Sequence, residues 1–183
     1  MANRKEIRIS GFGGQGIVLA GVILARAAAI YNDTEATQSE SHGAESRGGA
    51  CLSDVVISDE RVDYPMCLAP EILVSMSPEA AIRYVPTIEA GGLFIIDEDL
   101  VPDPPAGTYS KLLKIPATRV AEASFKRVMA NVVMLGAVIG IDPLVKRESI
   151  EKAVLASVPK GTEGMNIAAL RKGFELGEAA AKA

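Results

Sequence analysis

The stretch "ISGFGGQGIVLAG", residues 9–21, sets its glycines around Phe12 and Gln15, directly behind a short apolar run, Ile7–Ser10. On its far side, Ile17–Ile30 is apolar or small except for Arg26. A glycine turn between a strand and a helix is where α/β proteins hold phosphates, because the helix start offers backbone N–H groups and partial positive charge. Gly11, Gly13 and Gly16 fit G-x-G-x-x-G. In that pattern the first glycine permits a tight turn and the second lets the backbone approach a ligand. The third lets the helix pack closely on its strand. Phe12, Gly14 and Gln15 complete the loop. No lysine succeeds the glycines as in a phosphate-binding Walker loop, and the same spacing also serves a turn that only packs.

A second glycine-bearing stretch, "SESHGAESRGGACLSDVVISDE" at 39–60, gathers Ser41, His42, Gly43, Glu45, Arg47, Gly48 and Gly49 ahead of a strand-like run. Loops at the carboxyl ends of parallel strands meet at one edge of a sheet. The two loops are therefore expected to face one another, with Arg47 as the cation of the crevice. Its planar fork matches a phosphate or carboxylate. The alternative is that Arg47 pairs with Glu45 or Glu40 and braces the loop. His42 is a candidate acid or base, or a surface residue. A nicotinamide dinucleotide would want an acidic residue ~20 positions beyond the first loop. Glu40 could serve, but no dehydrogenase-like catalytic set lies beyond it. A free-standing NAD-binding oxidoreductase is the second reading, and a non-catalytic assembly module the third.

Both loops need a framework, and the hydrophobic pattern supplies one. Strand-like runs fall at Ile7–Ser10, Glu35–Ser39, Leu52–Ser58, Ile72–Ser75, Leu93–Asp97 and Tyr109–Ile115. Helix-like runs fall at Ile17–Ile30, Pro78–Val85 (with Ser77 as N-cap), Ala117–Lys126, Asn131–Ile139, Arg147–Ser157 and Met165–Ala181. Alternating strands and helices predict an α/β fold with a largely parallel sheet and a helical last third. Asp59-Glu60, between two β-branched runs, predicts a hairpin and an antiparallel edge, which Pro65 would suit. The 183 residues fit one domain, 1–183.

Composition narrows the classes. A formal net charge of -4 gives no field for nucleic acid. The longest apolar stretch, Ile17–Ile30, falls short of the ~20 residues that cross a bilayer. With no signal-like N-terminal stretch either, a cytoplasmic protein is expected. Cys51 and Cys67 form no C-x-x-C, and an iron–sulfur cluster needs about four thiolates. His42 is the one histidine, so a His₂ or His₃ metal site within the chain is excluded.

Taken in order, "GFGGQG" (11–16), "HGAESRGGACLSDVVISDE" (42–60), "DYP" (63–65), "GGLFIID" (91–97), "NVVMLGAVIG" (131–140) and "VPKGTEGMNIAALRKGFELG" (158–177) resemble the gamma subunits of 2-oxoacid:ferredoxin oxidoreductases. The likeness runs nearly end to end. Where that family usually writes Tyr-Gly-Pro-Glu, this chain has His42 for the Tyr and Ala44 for the Pro, while Gly43, Glu45, Arg47, Gly48 and Gly49 match. The resemblance implies a Rossmann-like domain that covers the active site of a larger complex and helps bind coenzyme A. It implies a complex that decarboxylates a 2-oxoacid on thiamine diphosphate and passes electrons through iron–sulfur clusters to ferredoxin. Those cofactors and magnesium would belong to alpha, beta and ferredoxin-like (delta) partners, so this chain would carry no catalytic residue of its own. The flavour of residues 47–60 leans toward the 2-oxoglutarate type.

Overall fold

A computed structural model describes residues 4–42 and 49–183. The described elements are β1 (Arg4–Phe12), α1 (Ile17–Tyr31), β2 (Glu35–Ser41), β3 (Ala50–Ser58), β4 (Ile72–Ser75), α2 (Pro78–Tyr84), β5 (Leu93–Asp97) and β6 (Lys111–Ile115). Four helices complete the chain: α3 (Ala117–Ser124), α4 (Ala130–Ile141), α5 (Arg147–Leu155) and α6 (Glu163–Lys182). Short 3₁₀ turns occupy Val85–Thr87 and Arg127–Met129.

The strands form one sheet in the order β2-β3-β1-β4-β5-β6. β1, β4, β5 and β6 run parallel, while β3 lies antiparallel to both β1 and β2. β2 therefore points the same way as β1. The result is a doubly wound, Rossmann-like sheet with one reversed strand inserted beside β1. The antiparallel part lies at the β2–β3 edge. The hairpin expected at Asp59-Glu60 is absent, because residues 59–71 join no ladder and cross to β4 as a loop.

Side-chain alternation divides the core. Ile7 and Ile9 of β1, Val55 and Ile57 of β3, Val74 and Ile95 face α1 and α3–α6. Leu73, Phe94 and Ile96 face Ala80, Ala81 and Tyr84 of α2 and Val85 and Ile88 beyond it. α1 is apolar nearly all round because it is sandwiched between the sheet and the outer helices. Its one charge, Arg26, reaches the Ala156 carbonyl (2.8 Å) and Ser157 Oγ (3.0 Å) behind α5. α4 is buried on every side, and a Gly-x-x-x-Gly step, Gly136 and Gly140, meets a second one, Gly173 and Gly177 of α6. Ser77 caps α2 as its sequence predicts, its Oγ accepting from Ala80 N (3.2 Å), with Pro78 in the first turn. Among the described residues no helix is long and apolar enough to cross a membrane.

Candidate functional site

The carboxyl ends of β1 and β4 bound the crevice where the chain switches sides: α1 leaves β1 over one face, and α2 leaves β4 over the other. The first glycine loop lies there. Gln15 holds it in shape: its Oε1 accepts from Phe12 N (2.9 Å) and its Nε2 donates to Met76 O (2.6 Å). One side chain thus ties the loop to itself and to the end of β4. Met76 N returns a bond to Ser10 O (2.9 Å), and the Ser10 and Ser75 hydroxyls meet at 2.9 Å.

The four glycines of the loop differ in what surrounds them. A Cβ on Gly11 would collide with Gln15 Oε1 and Ile17, so Gly11 makes room for the bridging carboxamide. Gly16 caps α1 at φ 74°, and a Cβ there would collide with Asn131. Asn131, at the start of α4, donates from Nδ2 to Gly16 O (3.1 Å). Gly13 and Gly14 face open space, and Gly14 has φ 100°. The left-handed conformation thus falls at Gly14 and Gly16 rather than at Gly13.

Two cavities open beside this loop. One, of about 280 Å³, is lined by Phe12, Gly14, Gln15, Met76, Leu100, Thr118, Arg127, Val128 and Ala130. The other, of about 260 Å³, runs from Gly14 and Gly16 past Lys126, Val128 and Asn131 to Pro159 and Asn166. Val128, 69% exposed, stands between them. The segment between α3 and α4 therefore brings two cations, Lys126 and Arg127, to the loop, and sequence reasoning missed both. Their signal is readable in "SFKRVMAN", adjacent basic residues directly before an apolar helix. Arg127 also pairs with Glu122 (2.7 Å).

Asp97, at the end of β5, anchors the floor. Its carboxylate accepts from Thr118 Oγ1 (2.6 Å), Thr118 N (2.9 Å) and Asp99 N (3.1 Å). Burial pushes its pKa up, and the bond from the Thr118 hydroxyl opposes that rise. The hydroxyl lining the first cavity is therefore already engaged with Asp97. Burial likewise raises the thiols of Cys51 and Cys67, which makes them poor nucleophiles. No group of three or more metal-ligating side chains occurs among the described residues. The crevice presents backbone N–H groups, a helix start, two cations and apolar walls. That chemistry suits an anion with an apolar extension.

The described flanks of the second loop come to the same edge. Phe12 pairs with Ala50 and Ser41 with Leu52, so Gly49 and Ser41 both lie beside the end of β1. The reason differs from the expected one, since β2 shares the direction of β1 through the reversed β3. His42 is exposed, with Nε2 3.3 Å from Glu40 Oε1. Gly43, Glu45, Arg47 and Gly48 lie outside the described residues.

Residues 6–176 match the pyruvate ferredoxin/flavodoxin oxidoreductase family. The chain is 53% identical to the 2-oxoglutarate synthase subunit KorC of Methanocaldococcus jannaschii, across 94% of each chain. Its fold superposes with TM-score 0.88 on the gamma subunit of a keto/oxoacid ferredoxin oxidoreductase from Geobacter sulfurreducens, at 40% identity over 97% of this chain and 98% of that one. The fold also matches, with TM-score 0.84 and 23% identity, part of a 2-oxoglutarate:ferredoxin oxidoreductase from Magnetococcus marinus whose structure holds 2-oxoglutarate, coenzyme A and succinyl-CoA. That match covers 98% of this chain and 32% of the Magnetococcus chain. Sequence, fold and length agree, and the chain belongs to the pyruvate ferredoxin/flavodoxin oxidoreductase family as a gamma-type subunit of the 2-oxoacid:ferredoxin oxidoreductases.

Proposed function

We propose that this chain serves a complex that oxidatively decarboxylates 2-oxoglutarate, and that its glycine-loop edge holds the phosphates of coenzyme A over the active site of its partners. The observation that carries the reading is the open space over Gly13 and Gly14 at the start of α1, between two cavities and beside Lys126 and Arg127. A pyrophosphate with an apolar pantetheine arm has the chemistry that such a crevice accepts. Coenzyme A supplies the acyl-accepting thiol when bound, and this chain's residues bind and orient it. The choice of 2-oxoglutarate rests on the KorC relative and the sequence of residues 47–60. Thiamine diphosphate, magnesium and iron–sulfur clusters would be held by alpha, beta and delta partners, with ferredoxin reduced by the assembled complex.

The test uses Gly13→Val in that complex. A Cβ at Gly13 meets nothing within 4 Å among the described residues and no left-handed backbone, so the fold should tolerate it. The KM for coenzyme A should rise about tenfold or more, equivalent to ~1.4 kcal/mol, with the 2-oxoglutarate KM unchanged. An unchanged coenzyme A KM would reduce the loop to a packing element. Arg47 belongs to the same proposal as a phosphate contact. Arg47→Ala should weaken coenzyme A about tenfold to a hundredfold, through loss of a charge-assisted contact worth roughly 1.5–3 kcal/mol. Should Arg47 only brace the loop through Glu45, both Arg47→Ala and Glu45→Ala would lower assembly and leave the coenzyme A KM alone.

A further inference from the structure

The loop between β3 and β4 carries three large apolar side chains in solvent: Tyr64 (50% exposed), Met66 (51%) and Leu68 (72%), set around the buried Cys67. Such residues on a slack loop would fold inward or fray. Here they are held out by an unusual amount of bonding. Arg8, in the middle of β1, makes a two-pronged ion pair with Asp54 of β3, Nε to Oδ1 at 2.7 Å and Nη2 to Oδ2 at 2.8 Å. Both partners are buried; Arg8 Nη1 donates to Thr87 Oγ1 (2.8 Å), and the pair's other bonds reach the loop. Arg8 Nη2 donates to Cys67 O (3.1 Å), and Asp54 Oδ2 accepts from Cys67 N (3.2 Å). Glu6 Oε2 accepts from Leu68 N (2.7 Å) and Ala69 N (3.1 Å), and Arg4 Nη2 donates to Tyr64 O (3.3 Å). Ser39 Oγ donates to Pro65 O (3.4 Å), so β2, β3 and β1 all fasten this one segment.

A buried ion pair is a poor device for stability alone, since desolvation cancels most of its attraction. It is a good device for fixing a backbone. What this one fixes is an apolar ridge facing outward, and contiguous exposed apolar residues with a polar border mark interaction surfaces. The sequence that leads into the ridge is net acidic, with Asp59, Glu60 and Asp63 against Arg61, which pairs with Asp63 at 3.4 Å.

We propose that Tyr64, Met66 and Leu68 dock against another subunit of the same oxidoreductase, on an apolar surface with a basic rim. The inference rests on the reading of this chain as one part of a complex. The Magnetococcus comparison points to the occupant, because there this fold makes up about a third of a longer chain. A domain built into a longer chain has a face covered by the remainder. In a separate chain that face is uncovered until the subunit holding the remainder binds. The ridge lies on the α2 side of the sheet, where Arg8 also stacks on Tyr84, and at its flank. Most of the ridge's fastenings, Arg4, Glu6 and Arg8, lie in the first five residues of β1, ahead of the glycine loop at that strand's carboxyl end.

The experiment co-expresses the full-length chain with the other subunits of its complex and measures assembly for wild type, Leu68→Asp and Met66→Asp. Circular dichroism and the unfolding midpoint of each isolated chain establish folding, which exposed positions should not disturb. Each variant should stay folded yet bind its partners about tenfold more weakly or worse. Wild-type assembly with both variants assembling equally well would overturn the inference alone. A wild-type chain that binds no subunit would overturn it together with the complex reading. An isolated chain that dimerises, with dimer lost in Leu68→Asp, would make the ridge a self-contact and overturn the proposed partner.

Discussion

Two sets of glycines in this molecule look alike in sequence and do opposite things. In α4 and α6, Gly136, Gly140, Gly173 and Gly177 are absent side chains already replaced by neighbouring backbone. A Cβ on Gly136 would run into Leu170 O, one on Gly140 into Phe174 O, and one on Gly177 into Ala137 O. In the loop after β1, Gly13 and Gly14 are absent side chains that nothing among the described residues replaces. The first set is filled internally and serves stability. The second is left open, and it is this space that the proposed phosphate would fill. Gly11 and Gly16, in the same hexapeptide, belong with the filled set, since Gln15 and Asn131 occupy their space.

The contrast can be broken most easily at the helix crossing. Gly173→Val would push a branched side chain into Val133 O and Gly136 Cα, where backbone must separate. It should destabilise the chain by about 3 kcal/mol, read from the urea unfolding midpoint. Gly16→Ala comes next. Asn131 would have to move and the backbone sits at φ 74°, so a loss of about 2 kcal/mol is expected, with an altered start of α4. Gly14→Ala isolates backbone strain from crowding, because φ is 100° but the space is open, and about 1 kcal/mol should be lost. Gly13→Ala should change stability by no more than about 0.5 kcal/mol. If Gly13→Ala cost as much as Gly16→Ala, the division into filled and open glycines would collapse.

Much of the fold was legible in the sequence because local rules and tertiary packing agree. β4 and β5 fall at the expected residues, Ile72–Ser75 and Leu93–Asp97, since short β-branched runs end at capping or turn residues. α2 begins where Ser77-Pro78 says it should. The reversed β3 was not legible. "ACLSDVVIS" is buried almost throughout, and a strand covered on both faces carries no alternation to show its direction or its neighbours. The hairpin at Asp59-Glu60 failed for a related reason. The residues beyond it, Arg61–Pro65, read as strand-like but are fastened to the sheet by side chains from β1 and β2, not by a ladder. In the candidate site, the glycine loop was visible from its spacing. Lys126, Arg127 and Asn131 stand out locally as basic residues and an Asn before an apolar helix, but nothing local ties them to a loop more than a hundred residues away, which they reach through the packing of α4.

The Gln15 bridge has a thermodynamic consequence. A glycine-rich turn left to itself samples many conformations, and closing it around a guest costs about 1–2 kcal/mol for each residue fixed. Here one carboxamide, bonded to Phe12 N and Met76 O, fixes the turn during folding, so that entropy is lost before any guest arrives. Calorimetry of a small anion binding at this edge should therefore show little of the unfavourable entropy that accompanies loop ordering. In Gln15→Ala the same titration should recover that penalty as a weaker affinity with a more negative binding entropy.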